Sequence, residues 1–209
     1  MTLVFAHRGA SWDAPGNRMA AFDLAIEQQA DYVEFDVRTA GDGTLYVCHD
    51  PLPGGAATSM ERLDETLEAL SGRVGLALEP KDSPAMRGVL AALRAHKVPA
   101  AQAIVLSFRI RDIEHARRER PDLRYVLLLL GRRPDVTAAT RFWGVGFGDE
   151  SASPRRIALA HSLGLATLVY TVNDPGRMRE LASLRVTGIV TDRPTLARAE
   201  VHAATVAHR

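Results

Sequence analysis

Residues 166–194, ATLVYTVNDPGRMRELASLRVTGIVTDRP, carry one complete strand–helix–strand pattern. The apolar run at 166–172 predicts a strand. A helix is predicted over 175–184, because an Asp followed by Pro is typical of a helix N-terminus. A second strand follows at 187–191, and Pro194 begins another helix. Two strands joined through a helix lie parallel in one sheet, with a right-handed crossover.

The same alternation extends outward from this segment over the chain. Strands are predicted over residues 3–7, 32–37, 45–48, 75–79, 103–107, 123–130, 142–147, 166–172 and 187–191. Helices are predicted over residues 17–29, 63–70, 83–96, 111–120, 134–140, 154–163 and 175–184, and from Pro194 onward. The turn signature at 41–43 makes 45–48 a hairpin-like extension of 32–37. Ser83 is predicted to cap the helix that has Pro84 in its first position.

About eight strand–helix units in 209 residues favour a single-domain α/β fold, a (β/α)₈ TIM barrel over residues 1–209. A doubly wound open sheet is the alternative topology. Hydrophobic residues make up 46% of the chain, which is enough for the core of one such domain.

Charge and composition argue against several classes of protein. The formal net charge of +1 gives no basis for binding nucleic acid or an acidic membrane surface. The N-terminus lacks a signal-peptide pattern, and the longest apolar run, 126–130, is too short to span a bilayer. Cys48, the single cysteine, cannot form an intrachain disulfide. We expect a cytoplasmic protein without nucleic-acid partners or stable membrane insertion, and the sequence leaves its oligomeric state open.

Polar residues cluster at the predicted strand ends, where the active site of a (β/α)₈ barrel lies. They are His7, Arg8, Glu34, Asp36, His49, Asp50, Glu79, Lys81, Ser107, Asn173 and Asp192. Ionisable groups at such positions are costly to bury without partners, so the set is not a random one. Ser107, Asn173 and Asp192 carry less weight, since Ser107 and Asn173 also suit capping and turn positions.

Glu34 and Asp36 alternate with apolar residues in one predicted strand, which places both carboxylates on the same face. A divalent cation between them would remove their mutual repulsion and use their oxygens as hard ligands. Glu79, at the end of another strand, is a candidate third ligand. The alternative is a half-exposed strand whose acidic residues face water.

His7 and His49 each end a strand-like run, and histidine is suited to proton transfer near neutral pH. Cleavage of a phosphodiester needs one group that accepts a proton and another that donates one. Arg8 could hold a phosphate through its planar fork of donors, and Lys81 could meet a phosphate oxygen. For the other five histidines a packed or surface role is expected.

The ordered motifs Ala6-His7-Arg8-Gly9, Glu34-Phe35-Asp36-Val37, His49-Asp50-Pro51, Glu79-Pro80-Lys81, Ser107-Phe108, residues 169–173 and residues 187–194 resemble the glycerophosphodiester phosphodiesterase family. The resemblance covers nearly the whole chain. It implies a (β/α)₈ fold and a divalent cation, Mg²⁺ or Ca²⁺. The family's metal ligands match Glu34, Asp36 and Glu79, its acid/base histidines match His7 and His49, and its phosphate-binding positions match Arg8 and Lys81.

The chain departs from the family pattern in two places. Pro15-Gly16-Asn17-Arg18 stands where the family usually carries Pro-Glu-Asn-Thr, so the glutamate is missing and Asn17 remains. The segment between His49 and Glu79 is also shorter than the family's usual insertion, and its short loop, 51–66, leaves a more open site.

The resemblance implies hydrolysis of a small-molecule glycerophosphodiester to an alcohol and sn-glycerol 3-phosphate, a reaction of lipid and glycerol metabolism. Two alternatives stay open. One is a phospholipase-D-like lyase that acts on lysophospholipids and forms a cyclic phosphate. The other is a non-catalytic barrel that binds a phosphodiester or a partner, which the missing glutamate would favour.

Overall fold

A computed structural model describes residues 2–52, 59–131 and 134–206. Its strands are β1 Leu3–His7, β2 Tyr32–Thr39, β3 Leu45–Val47, β4 Gly75–Pro80, β5 Ala103–Ser107, β6 Arg124–Leu129, β7 Gly144–Gly148, β8 Ala166–Tyr170 and β9 Gly188–Thr191. Its α-helices are α1 Met19–Glu27, α2 Leu63–Leu70, α3 Ser83–Ala95, α4 Ile110–Glu119, α5 Pro154–Ser162, α6 Pro175–Ser183 and α7 Pro194–Val206. None of these helices is both long and apolar enough to cross a membrane.

The sheet closes into a barrel of eight parallel strands, in the order β1-β2-β4-β5-β6-β7-β8-β9 and back to β1. β1 closes the ring because it pairs with both β2 and β9. The predicted (β/α)₈ barrel is therefore confirmed, and the open-sheet alternative is wrong. β3 is antiparallel to β2 and forms the predicted hairpin, whose tight turn contains Gly43 with a positive φ of 86°.

Two details of the predicted helices are wrong. The fifth barrel strand, β6, is followed by no α-helix among the described residues; the predicted helix at 134–140 is a single 3-10 turn, Val136–Ala139. This segment is short, and its β-branched residues disfavour an α-helix. The cap of α3 is Asp82 rather than Ser83, because the Asp82 carboxylate accepts a hydrogen bond from the Ala85 N–H at 2.7 Å. The Ser83 hydroxyl donates to Asp112 instead.

Alternate residues of each barrel strand fill the interior, and those between them pack against the helices. The interior cluster contains Leu3, Phe5, Tyr32, Ala77, Ile104, Leu106, Val126, Leu128, Trp143, Leu168, Tyr170 and Val190. Phe5 stacks on Tyr32 with ring centroids 4.6 Å apart. Glycine is required beside Phe5, since a Cβ on Gly188 would lie 2.4 Å from its ring.

This alternation also positions the polar residues. Phe5 faces the interior, so His7 at the end of β1 does so as well, by the two-residue repeat of a strand. Tyr32, Ala77 and Val190 also face the interior. By the same two-residue repeat, the side chains that follow them on their strands face inward, and these are Glu34, Asp36, Glu79 and Asp192. The apolar core of the barrel therefore gives way to ionisable side chains at its C-terminal mouth.

Candidate active site

Three buried carboxylates meet at the mouth of the barrel. Glu34 and Asp36 lie on the inward face of β2, and Glu79 lies on β4 directly beside Asp36 in the strand register. One oxygen of each lies within 4.8 Å of the other two. Their exposed fractions are 3%, 1% and 9%. Three oxygen donors at this spacing fit a hard divalent cation.

The electrostatics of the cluster favour a bound positive charge. Burial, and then the negative charge of Asp36, raise the pKa of Glu34 to about 8. Burial also raises the pKa of Glu79. Buried carboxylates that repel one another in this way are the arrangement that a cation stabilises. The residues present therefore fit the metal that the sequence predicted.

Lys81 and Arg8 supply positive charge around Asp36. The Lys81 Nζ lies 2.7 Å from Asp36 Oδ1 and 2.6 Å from Glu79 Oε1. The Arg8 Nε lies 3.0 Å from Asp36 Oδ2, and the Arg8 backbone N–H donates to Glu34 Oε2 at 3.1 Å. Burial opposes ionisation of Asp36, but Lys81 and then Asn17 and Arg8 outweigh it, and the pKa of Asp36 is lowered.

The turn after β1 places Arg8 over the carboxylates. Arg8 has a φ of 56° and Gly9 a φ of 85°, both in the left-handed region. Gly9 cannot be replaced without strain, because a Cβ there would lie 2.6 Å from the Ala21 backbone. This backbone geometry turns the N–H of Arg8 inward to Glu34 while its side chain remains at the cavity.

Asn17 fixes the orientation of Asp36. Its side-chain amide donates to Asp36 Oδ2 at 2.9 Å, and its carbonyl oxygen accepts from the Asp36 backbone N–H at 3.3 Å. The residue is buried and has a φ of 59°. Because Asn tolerates the left-handed region better than most residues, it suits this position both conformationally and chemically.

His7 is held by a network of three polar partners. Its Nδ1 lies 2.7 Å from Asp192 Oδ1, which also accepts from the Ser11 hydroxyl at 2.7 Å. The Asn173 amide donates to the other oxygen of Asp192 at 2.5 Å. With Nδ1 occupied, Nε2 is the nitrogen left for a ligand in the cavity that His7 lines.

The contact between His7 and Asp192 shifts the pKa values of both side chains. Burial opposes the charge of His7, but the hydrogen bond to Asp192 and the charge of Glu34 raise its pKa above the ordinary value. Burial likewise opposes ionisation of Asp192, but hydrogen bonds from His7, Asn173 and Ser11 lower its pKa to about 2. The imidazole is therefore positioned and polarised for proton transfer at Nε2.

His49 lies across the cavity in a more open setting. Its Nδ1 lies 2.8 Å from Asp50 Oδ1, and the two side chains are 44% and 90% exposed. Its backbone carbonyl accepts from Arg38 Nε at 2.6 Å. The two histidines thus have carboxylate partners of the same kind, but only Asp192 is itself held by further hydrogen bonds among the residues that the structure describes.

An open cavity of about 490 Å³ joins these groups. Its lining includes His7, Arg8, Arg18, His49 and Asp192. A smaller recess of about 40 Å³ adjoins it at His7 and is walled by Glu34, Glu79 and mostly apolar side chains from β5, β6, β8 and β9. Glu34 and Glu79 therefore border a small, mostly apolar recess, and His7 lines both this recess and the large cavity.

Comparison with known proteins identifies the family. The model of the glycerophosphoryl diester phosphodiesterase family matches residues 7–71 and 79–196. The chain belongs to this family, and it is a phosphodiesterase. The matched segments include all seven candidate residues, which are His7, Arg8, Glu34, Asp36, His49, Glu79 and Lys81.

Relatives and solved structures of the family resemble the chain over most of its length. A glycerophosphodiester phosphodiesterase of Bacillus subtilis (strain 168) is 24% identical over 247 residues, which cover 93% of this chain and 84% of the relative. The crystal structure of a glycerophosphodiester phosphodiesterase from Agrobacterium tumefaciens has a TM-score of 0.81 at 29% identity, with 96% and 99% of the two chains covered. An Oleispira antarctica phosphodiesterase, solved with the product sn-glycerol 3-phosphate, shares the fold with a TM-score of 0.87 at 19% identity, with 97% of each chain covered.

The structure brings all seven candidate residues to the barrel mouth, either into the carboxylate cluster or onto the cavity wall. Sequence reasoning gave too little weight to Asp192 and Asn173, and it assigned no role to Ser11. For Asn17 the sequence indicates only that it is the residue that remains of a family motif. A signal was present for Asp192, since it lies at the end of a predicted strand, but its partner His7 is 185 positions away. Part of the shortened loop at 51–66 lies outside the described residues.

Proposed function

We propose that this phosphodiesterase hydrolyses glycerophosphodiesters to an alcohol and sn-glycerol 3-phosphate, with a divalent cation held by Glu34, Asp36 and Glu79. The observation that carries the proposal is the convergence of these three carboxylates at 4.8 Å or less beside Arg8 and Lys81. The product bound by the Oleispira antarctica protein of the same fold supports the choice of substrate class.

The cation would be Mg²⁺ or Ca²⁺, since the donors are carboxylate oxygens, which hard cations prefer. When bound, it would act as a Lewis acid toward the phosphate. Arg8 and Lys81 would add positive charge for the non-bridging oxygens. Lys81 contacts two of the carboxylates, so its ammonium lies where it could exchange one carboxylate contact for a phosphate oxygen.

His7 and His49 would transfer the two protons of the reaction. A new bond forms between phosphorus and the oxygen of water, and the bond from phosphorus to the alcohol oxygen breaks. One imidazole accepts a proton from water, and the other donates a proton to the departing alcohol. Asp192 is a positioning residue, because it touches His7 and holds its Nδ1.

The test is an assay with glycerophosphocholine or glycerophosphoethanolamine as substrate. The protein is stripped with EDTA and then supplied with Mg²⁺ or Ca²⁺. We expect activity to be lost on stripping and restored by the cation, and ³¹P NMR to show sn-glycerol 3-phosphate. Activity that ignores the cation would contradict the proposed role of the carboxylates. Accumulation of a cyclic phosphate would instead identify the lyase reaction.

A further inference from the structure

The charges that line the large cavity are paired, with one exception. Arg8 lies against Asp36, His7 against Asp192, and His49 against Asp50. Arg18 also lines the cavity, but among the described residues it makes no ion pair. Its Nη1 donates a long hydrogen bond, 3.4 Å, to the Asn17 carbonyl oxygen. Within the part of the chain that the structure describes, Arg18 is thus a cavity-lining guanidinium without a carboxylate partner.

The position of Arg18 is set by the backbone and not by its side chain. It is the N-cap residue of α1, and its side chain makes no capping hydrogen bond. Arg18 therefore adds a positive charge to the wall of the cavity. Substitution of this side chain should leave the cap of the helix as it is.

Gly16 leaves space open beside the side chains of Arg8 and Ser11 in the cavity wall. A Cβ at this position would lie 3.1 Å from the Arg8 Cβ and 3.3 Å from the Ser11 Cβ. A side chain at residue 16 would therefore press against both residues. Gly16 stands where the family usually carries glutamate, and Arg18 stands where it carries threonine. The chain thus lacks a negative charge and adds a positive charge at one side of the cavity.

From this arrangement we infer that the alcohol part of the substrate carries an anionic group, a carboxylate or a phosphate, that pairs with Arg18. The inference rests on the proposed function. In a glycerophosphodiester the glycerol part is uncharged, so a second anionic group must belong to the alcohol. A guanidinium binds carboxylate and phosphate through paired N–H donors, and its charge strengthens these bonds. Arg18 is then a specificity-determining residue.

The experiment uses glycerophosphoserine and glycerophosphoethanolamine, which differ by a single carboxylate on the alcohol. For the full chain with Mg²⁺ or Ca²⁺, kcat/KM is measured for each diester, and the affinity of each is measured by calorimetry. We expect the wild type to favour glycerophosphoserine by about tenfold, the size of one charge-assisted hydrogen bond. In Arg18→Gln this ratio should fall to near one.

Arg87→Gln is the matched control, because Arg87 is an exposed arginine on α3 and does not line the cavity. In Arg87→Gln the ratio of kcat/KM for glycerophosphoserine to kcat/KM for glycerophosphoethanolamine should equal that of the wild type. A wild-type ratio near one, or a ratio that survives in Arg18→Gln, overturns the inference even if both diesters are hydrolysed. If neither diester is hydrolysed, the proposed function fails, and the ratio of the two affinities still decides whether Arg18 selects the anionic group.

Discussion

The barrel mouth has two unlike halves. The ends of β9, β1, β2 and β4, which are neighbours in the sheet, carry Asp192, His7, the Glu34–Asp36 pair and Glu79. The ends of β5, β6, β7 and β8, also neighbours, are largely apolar, with Phe108 packed edge-on against Tyr170. We call these the polar half and the apolar half.

The difference shows why the chemistry lies on adjacent strands. A buried carboxylate is tolerated only where partners of opposite charge or hydrogen-bond donors lie close by. Neighbouring strands of a sheet lie about 4.8 Å apart, so only consecutive strands can bring several such groups into contact. The apolar half supplies a wall of low polarity, which strengthens the electrostatic interactions that face it.

The largest expected effect comes from Glu34→Gln in the polar half. We expect kcat/KM to fall by about 10³-fold, as when an electrostatic contact to the reacting group is removed. Folding should not suffer without the cation, because the neutral amide no longer repels Asp36. Kinetics and thermal unfolding check both parts, and Glu27→Gln, an exposed glutamate on α1, is the control.

The stability of the same variant should depend on pH in a defined direction. The pKa of Glu34 is raised from 4.5 to about 8, so the folded state holds the proton more tightly than the unfolded state. Cation-free wild type should therefore lose stability as the pH rises from about 4.5 to 8, and Glu34→Gln should lack this loss. Equal pH dependence in the two proteins would contradict the raised pKa of Glu34, which burial and then the charge of Asp36 cause.

A second, smaller effect distinguishes the two histidine partners within the polar half. Asp192→Asn should lower kcat by about 10²-fold, because His7 loses the carboxylate that holds its Nδ1 and raises its pKa. The limb of the pH profile that belongs to His7 should then move to lower pH. Asp50→Asn, at an exposed side chain, should change kcat by less than about twofold.

Asp192 should also contribute to stability. Its pKa in the folded state is about 2, below the ordinary value of 3.8. The contribution, about 2 kcal/mol, is present above the ordinary pKa and is lost as the pH falls toward 2. Denaturant unfolding of wild type and Asp192→Asn at pH 7 and at pH 2.5 measures it. A difference that persists unchanged at the lower pH would contradict the assignment.

The smallest effect is expected in the apolar half. The Tyr170 hydroxyl donates to the Leu129 carbonyl oxygen at 2.9 Å. Tyr170→Phe should cost about 1 kcal/mol of stability through this lost bond. Because the ring remains in place, kcat/KM should change by less than about threefold. A fall in kcat/KM of about 10²-fold would instead assign a catalytic role to Tyr170. The chemistry would then not be confined to the polar half.

The sequence located much of the site because strands alternate. The two-residue spacing of Glu34 and Asp36 placed both on one face, and the structure has both inside the barrel. Asn17 was harder to assign, since its contacts with Asp36 depend on how the loop before α1 folds over the mouth. The cap of α3 was misplaced by one residue because Asp82 and Ser83 are both good capping residues.

The sequence by itself determined the alternation of strands and helices and the shared strand face of Glu34 and Asp36, because these follow from local periodicity. Only the tertiary structure decided which of these residues meet. His7 contacts Asp192 because β1 closes the barrel against β9, with Ala6 beside Thr191. Arg8 likewise meets Asp36 of the neighbouring strand, whereas Arg18 makes no ion pair with any residue that the structure describes. Such pairings depend on closure and register, which no local pattern encodes.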